Sequence, residues 1–266
     1  MLKPRYSVFL PVAVAAGLGL ASAVPAQAGS IELGYVVEVA GTTMMKAAYR
    51  TEINGGSFES SLFGKTEGVT SMFSGYKMNL SASGRVAGNS FLPAAYENDR
   101  KKKGKKAKST GLTWQPDGSV TVGTAQGVKP PPAAVASAIG ASTSDPLTAI
   151  LKMANNQSKK PCSGKFRVYD GKDVFDLSLS FSKIIALGNA SGLDCKLTWT
   201  PVAGVAVDKG ETDVESYGLV LAPVRVGDDI MHLPVRITGS TKGLSIVVSS
   251  SVIKVDGQAV KAGLSN

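Results

Sequence analysis

The chain has 266 residues and a mass of 27.4 kDa, with 43% hydrophobic positions, 18% charged positions and a formal net charge of +9. This length supports one domain with a full hydrophobic core or two small ones. The hydrophobic content excludes an intrinsically disordered chain, which would have fewer apolar and more charged residues. A large positive charge is typical of nucleic-acid-binding proteins, so its position along the chain decides how it is interpreted.

The amino terminus has the pattern of a secretory signal peptide. Two cations within the first five residues precede an apolar run over 8–24, and Ala-Gln-Ala at 26–28 forms a small-x-small cleavage site. An uncleaved membrane anchor is the alternative, because the apolar run is close to the shortest length that spans a bilayer. The cleavage site and the prolines in this segment favour cleavage. We therefore predict a signal peptide over 1–28, export to the periplasm and no transmembrane segment in the mature chain.

The mature chain, 29–266, is dominated by alternation of apolar and polar residues, which predicts β-strands with one buried face. Two alternating runs flank Asn54-Gly55-Gly56 and predict a hairpin, whose alternating positions are Tyr49, Thr51, Ile53, Phe58, Ser60 and Leu62. The clearest strand covers 173–181, with its apolar side chains predicted inward at Phe175, Leu177, Leu179 and Phe181. Further strands are predicted at 195–200 with Cys195, Leu197 and Trp199 inward, and at 216–226, 231–238 and 244–255. The total is about ten to thirteen strands.

One stretch of the chain predicts a helix. Asp145 is a suitable N-cap, Pro146 suits the first turn, and apolar residues follow at helical spacing until Asn155-Asn156. With the proline-rich stretch before it, where a short helical turn also fits, this helix forms an insert over 129–156. We predict a mainly β fold: one domain built on a strongly curved antiparallel sheet or incomplete barrel, with one short helix packed on its open side.

Seven cations and no acid lie within residues 100–108. They are Arg100, Lys101, Lys102, Lys103, Lys105, Lys106 and Lys108. The predicted signal peptide holds two of the net charges and this run holds seven, so the rest of the chain is neutral. Like charges at this density repel and extend the chain, and strands are predicted on both sides. We therefore expect an exposed loop or hairpin tip.

The functional interpretation of this loop is an anion-binding tip for lipopolysaccharide, anionic phospholipid head groups or another acidic polymer, an attraction that salt screens beyond about 8 Å. The alternative is a solvated loop with no specificity. A nucleic-acid partner is disfavoured, because no aromatic residues for base stacking are interleaved with the cations and an exported protein is in the wrong compartment.

Cys162 and Cys195 are the two cysteines of the chain. In an oxidising compartment such a pair predicts a disulfide, and the spacing is unlike the C-x-x-C of a redox site. Two free buried thiols are the alternative. We predict no metal site, because these cysteines and the single histidine, His232, do not supply four ligands.

The sequence predicts no enzyme and no cofactor. The tetrad S-x-x-K, which contains the nucleophile in one class of hydrolases, begins at Ser74, Ser180 and Ser251, but it occurs at the rate expected by chance and in strand-like sequence. His232 lies between two apolar residues of a predicted strand and is expected to be exposed. The acids Asp170, Asp173 and Asp176 lie close together in sequence, but Gly171 beside the first of them predicts a turn.

Several segments resemble the periplasmic family catalogued as domain of unknown function 3108. The similarity is most specific in the run from Cys162 to Leu177 and in Cys195–Gly204, and it extends to 221–224 and 233–237. An early Tyr-Val strand with a glycine turn over 35–41 and the Asp145-Pro146 helix start also fit. The resemblance implies a Gram-negative periplasmic protein without specifying a reaction, and it strengthens the disulfide between the two cysteines.

Two functions fit these observations. The first is a non-enzymatic protein of the cell envelope that binds a lipid-like or amphipathic ligand in the concave face of its sheet, or an envelope partner. The second is a structural or interaction protein with a filled core that acts through loop 100–108 on anionic envelope polymers.

Overall fold

A computed structural model describes residues 29–68, 71, 75–155, 160, 162–188, 190–210, 212–241 and 243–260. The predicted signal peptide lies outside the described residues, and so does Asn156 at the predicted helix end. None of the helices in the described ranges is long and apolar enough to cross a membrane.

The described residues form fifteen strands, more than the ten to thirteen predicted, and two of them have only three and two residues, too few to show alternation. The strands are β1 (Gly29–Val39), β2 (Thr42–Asn54), β3 (Ser57–Thr66), β4 (Tyr76–Ala87), β5 (Ser90–Lys102), β6 (Lys108–Trp114), β7 (Val120–Thr124), β8 (Gly127–Lys129), β9 (Lys165–Tyr169), β10 (Asp173–Leu187), β11 (Ala190–Gly204), β12 (Glu215–Val226), β13 (Asp229–Thr241), β14 (Leu244–Val255) and β15 (Gln258–Ala259). Three helices accompany them: α1 (Ala133–Ala138), α2 (Pro146–Asn155) and α3 (Val205–Asp208). The predicted helix is α2, and the two others are short segments.

All strands belong to one antiparallel sheet. Its order is β8-β7-β6-β5-β4-β3-β2-β1-β14-β13-β12-β11-β10-β9, with β15 paired to β14. Consecutive strands are neighbours within two meanders, since short turns join antiparallel strands, and the pairing of β1 with β14 connects the meanders. The sheet ends at β8 and β9, so it is not closed into a barrel. This confirms the predicted mainly β fold.

The two halves of the sheet curve toward each other, as the accumulated twist of a many-stranded sheet requires. The turn between β9 and β10 lies against β6: a Cβ added to Gly171 would lie 2.7 Å from Cγ2 of Thr110. Helix α2 lies in the remaining opening and contacts β3, β4, β5, β9 and β13. At its end, Nδ2 of Asn155 donates to the carbonyl oxygen of Asn89 at 2.9 Å. The short helix is therefore packed on the open side, as predicted.

Side chains from the sheet and from α2 fill the space between them. Leu147 and Leu151 of the helix are each 1% exposed and belong to one cluster with residues from most of the strands. Its bulkiest fully buried members are Tyr96, Tyr169, Phe58 and Phe91. Burial of each such side chain stabilises the fold by roughly 1.5–3 kcal/mol. The concave side is therefore occupied by the protein's own side chains over the described residues.

A second, smaller cluster surrounds the disulfide between Cys162 and Cys195, which confirms the predicted pairing. The Cα atoms of the two cysteines are 5.5 Å apart, and both residues are buried. The other buried members of this cluster are Met153, Leu179, Leu193, Leu197, Leu219 and Leu221. The bridge thus ties the segment before β9 to β11 inside an apolar environment.

The predicted faces of β10 are wrong in part. Asp176, expected on the wet face, is 3% exposed, whereas Phe181, expected inside, is 50% exposed. Register shifts against β11 at Val174/Phe175 and Phe181/Lys183 interrupt the simple alternation. The burial of Asp176 is also possible because cations neutralise its charge. The alternation of apolar and polar residues along one strand gives no sign of such partners.

Asp145 caps helix α2 as predicted. Its Oδ1 accepts hydrogen bonds from the backbone N–H of Leu147 at 2.8 Å and of Thr148 at 2.9 Å, and its Oδ2 accepts one from the hydroxyl of Thr148. Asp145 is fully buried. Burial raises the pKa of its carboxyl group, although these hydrogen bonds act to lower it.

We expect Asp145→Asn to become more stable relative to the natural protein as pH rises. A carboxyl group whose pKa is raised in the folded state stabilises the fold below its unfolded pKa, about 3.8, and loses that contribution as pH rises through the folded pKa. Asparagine keeps the capping oxygen without the buried charge. Thermal unfolding at several pH values checks this, and a stability difference that does not change with pH would contradict it.

Asp145→Ala is the companion variant. It leaves two buried N–H groups without their acceptor, so it should lower the free energy of unfolding by about 1–2 kcal/mol in acid, and by less as pH rises and the natural protein loses the contribution of its protonated carboxyl group.

Candidate functional site

The basic run forms a hairpin tip between β5 and β6. The strands extend farther into it than predicted: Arg100, Lys101 and Lys102 end β5, Lys108 begins β6, and the turn covers 103–107. All the lysines of the run are exposed, and Arg100 is partly exposed. The tip is held by backbone hydrogen bonds, from Lys105 to the carbonyl of Lys102 at 3.0 Å and from Lys103 to that of Gly75 at 2.6 Å. Four of the seven cations are thus presented by strands.

The sheet places three further lysines beside the tip. In the antiparallel register Lys46 of β2 is opposite Lys65 of β3, Lys65 is opposite Lys77 of β4, and Lys77 is opposite Lys101 of β5. Directly paired residues share a face of the sheet, and all four lysines are exposed on the outer face. We call these four residues the lysine row. It joins the hairpin tip at Lys101.

The charge near the lysine row alters the acid beside it. Glu67 forms an ion pair with Lys65, with Oε1 2.9 Å from Nζ. The hydrogen bond and charge of Lys65, followed by the charge of Lys46, hold the pKa of Glu67 below its usual value. The sequence did not single out Lys46, Lys65 and Lys77, because each is an isolated cation along the chain. Only the pairing register brings them together.

Farther along the same strands, the outer face changes its charge. Glu52 of β2 is directly opposite Glu59 of β3, and Glu97 of β5 lies near them. These three acids, several serines and one cation, Arg50, which pairs with Glu52 at 2.7 Å, line a groove of about 430 Å³. The outer face of β2–β5 is therefore basic at the end with the tip and acidic toward the other end.

A cation cluster holds α1 on the edge of the sheet. Arg167 donates from Nε and Nη2 to the two carboxylate oxygens of Asp176 at 2.7 and 2.9 Å, and from Nη1 to the carbonyl of Ala138 at 3.0 Å. Nζ of Lys165 lies 2.9 Å from the same carboxylate. A surface pocket of about 390 Å³ lies beside this cluster. The arrangement links α1 to β9 and β10, and each of its charges has a partner.

The other acids of this segment have structural partners too. Oδ1 of Asp170 accepts hydrogen bonds from the backbone N–H of Lys172 and of Asp173, as the predicted turn requires. Oδ1 of Asp173 accepts from the N–H of Ala206. In the part of the chain that the structure describes, no group of three or more His, Cys, Asp or Glu residues is arranged to hold a metal ion.

The remaining catalytic candidates lie in strands. Ser180 is on β10 and Ser251 on β14, so neither begins a helix as the S-x-x-K chemistry requires, and Ser74 lies outside the described residues. The prediction of an exposed His232 is wrong, because its ring is half-buried and Nδ1 has no hydrogen-bond partner among the described residues. This burial lowers the pKa of the imidazole.

The family described as "Protein of unknown function (DUF3108)" matches residues 34–242, which agrees with the resemblance seen in the sequence. Among solved structures, the fold is similar to the crystal structure of a beta-barrel-like protein of domain of unknown function DUF1849 from Brucella abortus. The TM-score is 0.52 at 9% sequence identity, over 88% of this chain and 98% of that chain. This likeness concerns the fold alone. Comparison with curated proteins returned no significant match.

Proposed function

For this chain, which belongs to the DUF3108 family of proteins of unknown function, we propose a role as an exported, non-enzymatic protein of the cell envelope. It binds anionic envelope polymers through the basic hairpin tip, 100–108. The signal-peptide pattern supports export. The disulfide is compatible with it, because such bonds persist in oxidising compartments.

One observation carries this proposal: seven cations without an acid among them project from a hairpin built into the sheet. Strand pairing limits how far the cations can move apart, so less conformational entropy is lost when a polyanion binds than for a free loop. The attraction is electrostatic and acts over about 8 Å at physiological ionic strength. Binding should therefore weaken steeply as salt is added.

A lipid-like ligand in the concave face is the second candidate function. The curved sheet favours it, because sheets of this shape hold apolar ligands in other proteins. The side chains of α2 and the core occupy that space in the described residues, so such a ligand would have to displace them. Mass spectrometry of protein purified from the native envelope tests this candidate by detecting co-purified lipid.

Serine substitution of three tip cations should strongly weaken polymer binding. For the triple variant Lys103→Ser, Lys105→Ser, Lys106→Ser we expect the affinity for long-chain polyphosphate to fall on the order of a hundredfold at low salt, because each cation near an anionic surface contributes about 1 kcal/mol. Titration calorimetry in buffers of increasing ionic strength measures this affinity.

The matched control removes three exposed lysines elsewhere on the chain, by Lys183→Ser, Lys196→Ser and Lys209→Ser. Both variants lose the same net charge, so a general effect of charge would reduce their affinities equally. An equal loss in the two variants, or no loss in either, would contradict a role for the tip.

A further inference from the structure

We infer that the bound polymer lies across the strands of the sheet, on the lysine row, and does not contact the hairpin tip alone. This inference rests on the proposed function and extends its site to Lys46, Lys65 and Lys77. The ligand class is a linear polyanion with several closely spaced negative groups.

The spacing of the charges fits a polymer that crosses the strands. Neighbouring strands are about 4.8 Å apart, so the three gaps from Lys46 to Lys101 span roughly 14 Å along the sheet. The backbone N–H of Lys103 donates to the carbonyl oxygen of Gly75, just before β4, so the hairpin tip lies directly beside the end of the row. A polymer that crosses four strands therefore meets a cation at every strand.

The repulsion within the lysine row is only partly offset by acids of the fold. Like charges directly opposite each other destabilise a sheet, and the row places three such pairs in succession. Among the described residues, Glu67 forms an ion pair with Lys65 and also interacts with the charge of Lys46, so one carboxylate faces two of the four cations. A polyanion on the row would offset the repulsion, so binding and fold stability are coupled.

The charges of the outer face also favour one direction for the polymer, across the strands. Along the strands the outer face passes from the lysine row to Glu52, Glu59 and Glu97. Arg50 pairs with Glu52, and the other two acids would repel a polyanion lying parallel to the strands. Across the strands, the twist of about 20–25° per strand turns the row by roughly 60–75° over three gaps. A flexible polymer follows this turn, whereas a flat bilayer surface contacts only part of it. The geometry therefore favours a linear polymer.

The test uses the full mature chain with the row variant Lys46→Ser, Lys65→Ser, Lys77→Ser, which leaves the tip intact. The probes are inorganic polyphosphates of increasing length and, separately, vesicles of anionic phospholipid. We expect the row variant to bind long polyphosphate at least tenfold more weakly than the natural protein, with a shallower salt dependence. Pyrophosphate, which is too short to cross the row, should bind both proteins equally weakly.

The triple variant at Lys183, Lys196 and Lys209 again serves as the control, and thermal unfolding verifies that both variants fold. If the row variant binds long polyphosphate like the control while the tip variant does not bind, the inference is overturned and the proposed function stands. If neither the row nor the tip variant loses affinity, both are overturned. If the protein binds the vesicles tightly and its affinity for polyphosphate does not depend on chain length, the outer face is a bilayer-binding surface. That result would also overturn the inference.

Discussion

Reduction of the disulfide between Cys162 and Cys195 is expected to lower the free energy of unfolding by about 3–4 kcal/mol. The bridge closes a loop with a sequence separation of 33, and the chain-entropy account assigns a loop of this size that contribution, because the cross-link restricts the unfolded chain. Since domains of this kind are stable by about 5–15 kcal/mol, the loss is a large fraction of the total. Denaturant unfolding of the oxidised and reduced protein measures it.

The variant Cys162→Ala, Cys195→Ala is the control for this experiment, because its stability should not respond to the reductant. Thiol labelling of denatured, unreduced protein should detect no free cysteine. Coincident unfolding curves for the oxidised protein and for protein whose reduction has been verified by labelling would show that the bridge contributes nothing.

The second large effect is expected for Asp176→Ala, which should destabilise the fold by about 2–4 kcal/mol. Removal of one partner from a buried ion pair leaves the other partner's charge uncompensated, a change that costs about 3–5 kcal/mol when both partners are buried. The lower range applies here because Arg167 and Lys165 retain some contact with water, with side chains 31% and 65% exposed. The variant also frees the guanidinium that holds the carbonyl of Ala138.

The effect of Asp176→Ala should depend on pH. Burial acts to raise the pKa of Asp176, but hydrogen bonds and charges from Arg167 and Lys165 outweigh it and hold the pKa below its usual value. A carboxylate with a lowered pKa stabilises the fold above its unfolded pKa, about 3.8, and loses that contribution as pH falls through the folded pKa. The difference between variant and natural protein should therefore be full at pH 7 and shrink in acid.

Glu67→Ala is the matched control, because it removes a carboxylate that is 27% exposed, against 5% for Asp176, from its pair with Lys65. Exposed pairs contribute little, so no measurable change in unfolding is expected. Comparable destabilisation by Asp176→Ala and Glu67→Ala would refute the role of burial. A destabilisation by Asp176→Ala that is the same at pH 7 and in acid would assign the effect to lost packing instead of charge.

Features whose causes are local were predictable from the sequence. Asp145 and Pro146 place the start of α2, because a capping oxygen and a fixed φ act within one turn. Asn54-Gly55-Gly56 marks the turn between β2 and β3, where both glycines adopt positive φ, 55° and 89°. The fold class follows from alternation repeated along most of the chain.

Features that depend on distant partners were mispredicted or missed. The faces of β10 follow from bulges against β11 and from the cations around Asp176, neither of which changes the pattern of apolar residues. The half-buried position of His232 likewise follows from its neighbours in space. In both cases a side chain's environment comes from another strand.

The positive charge also has one part that the sequence determines and one part that only the tertiary structure decides. Composition and position along the chain determine that seven cations lie in one run and that the remaining residues are neutral in sum. The tertiary structure alone decides that Lys46, Lys65 and Lys77 continue that run across the outer face of β2–β5. The physical reason is strand register: hydrogen bonding between antiparallel strands fixes which residues are opposite each other, and so gathers cations that are far apart in sequence into one row.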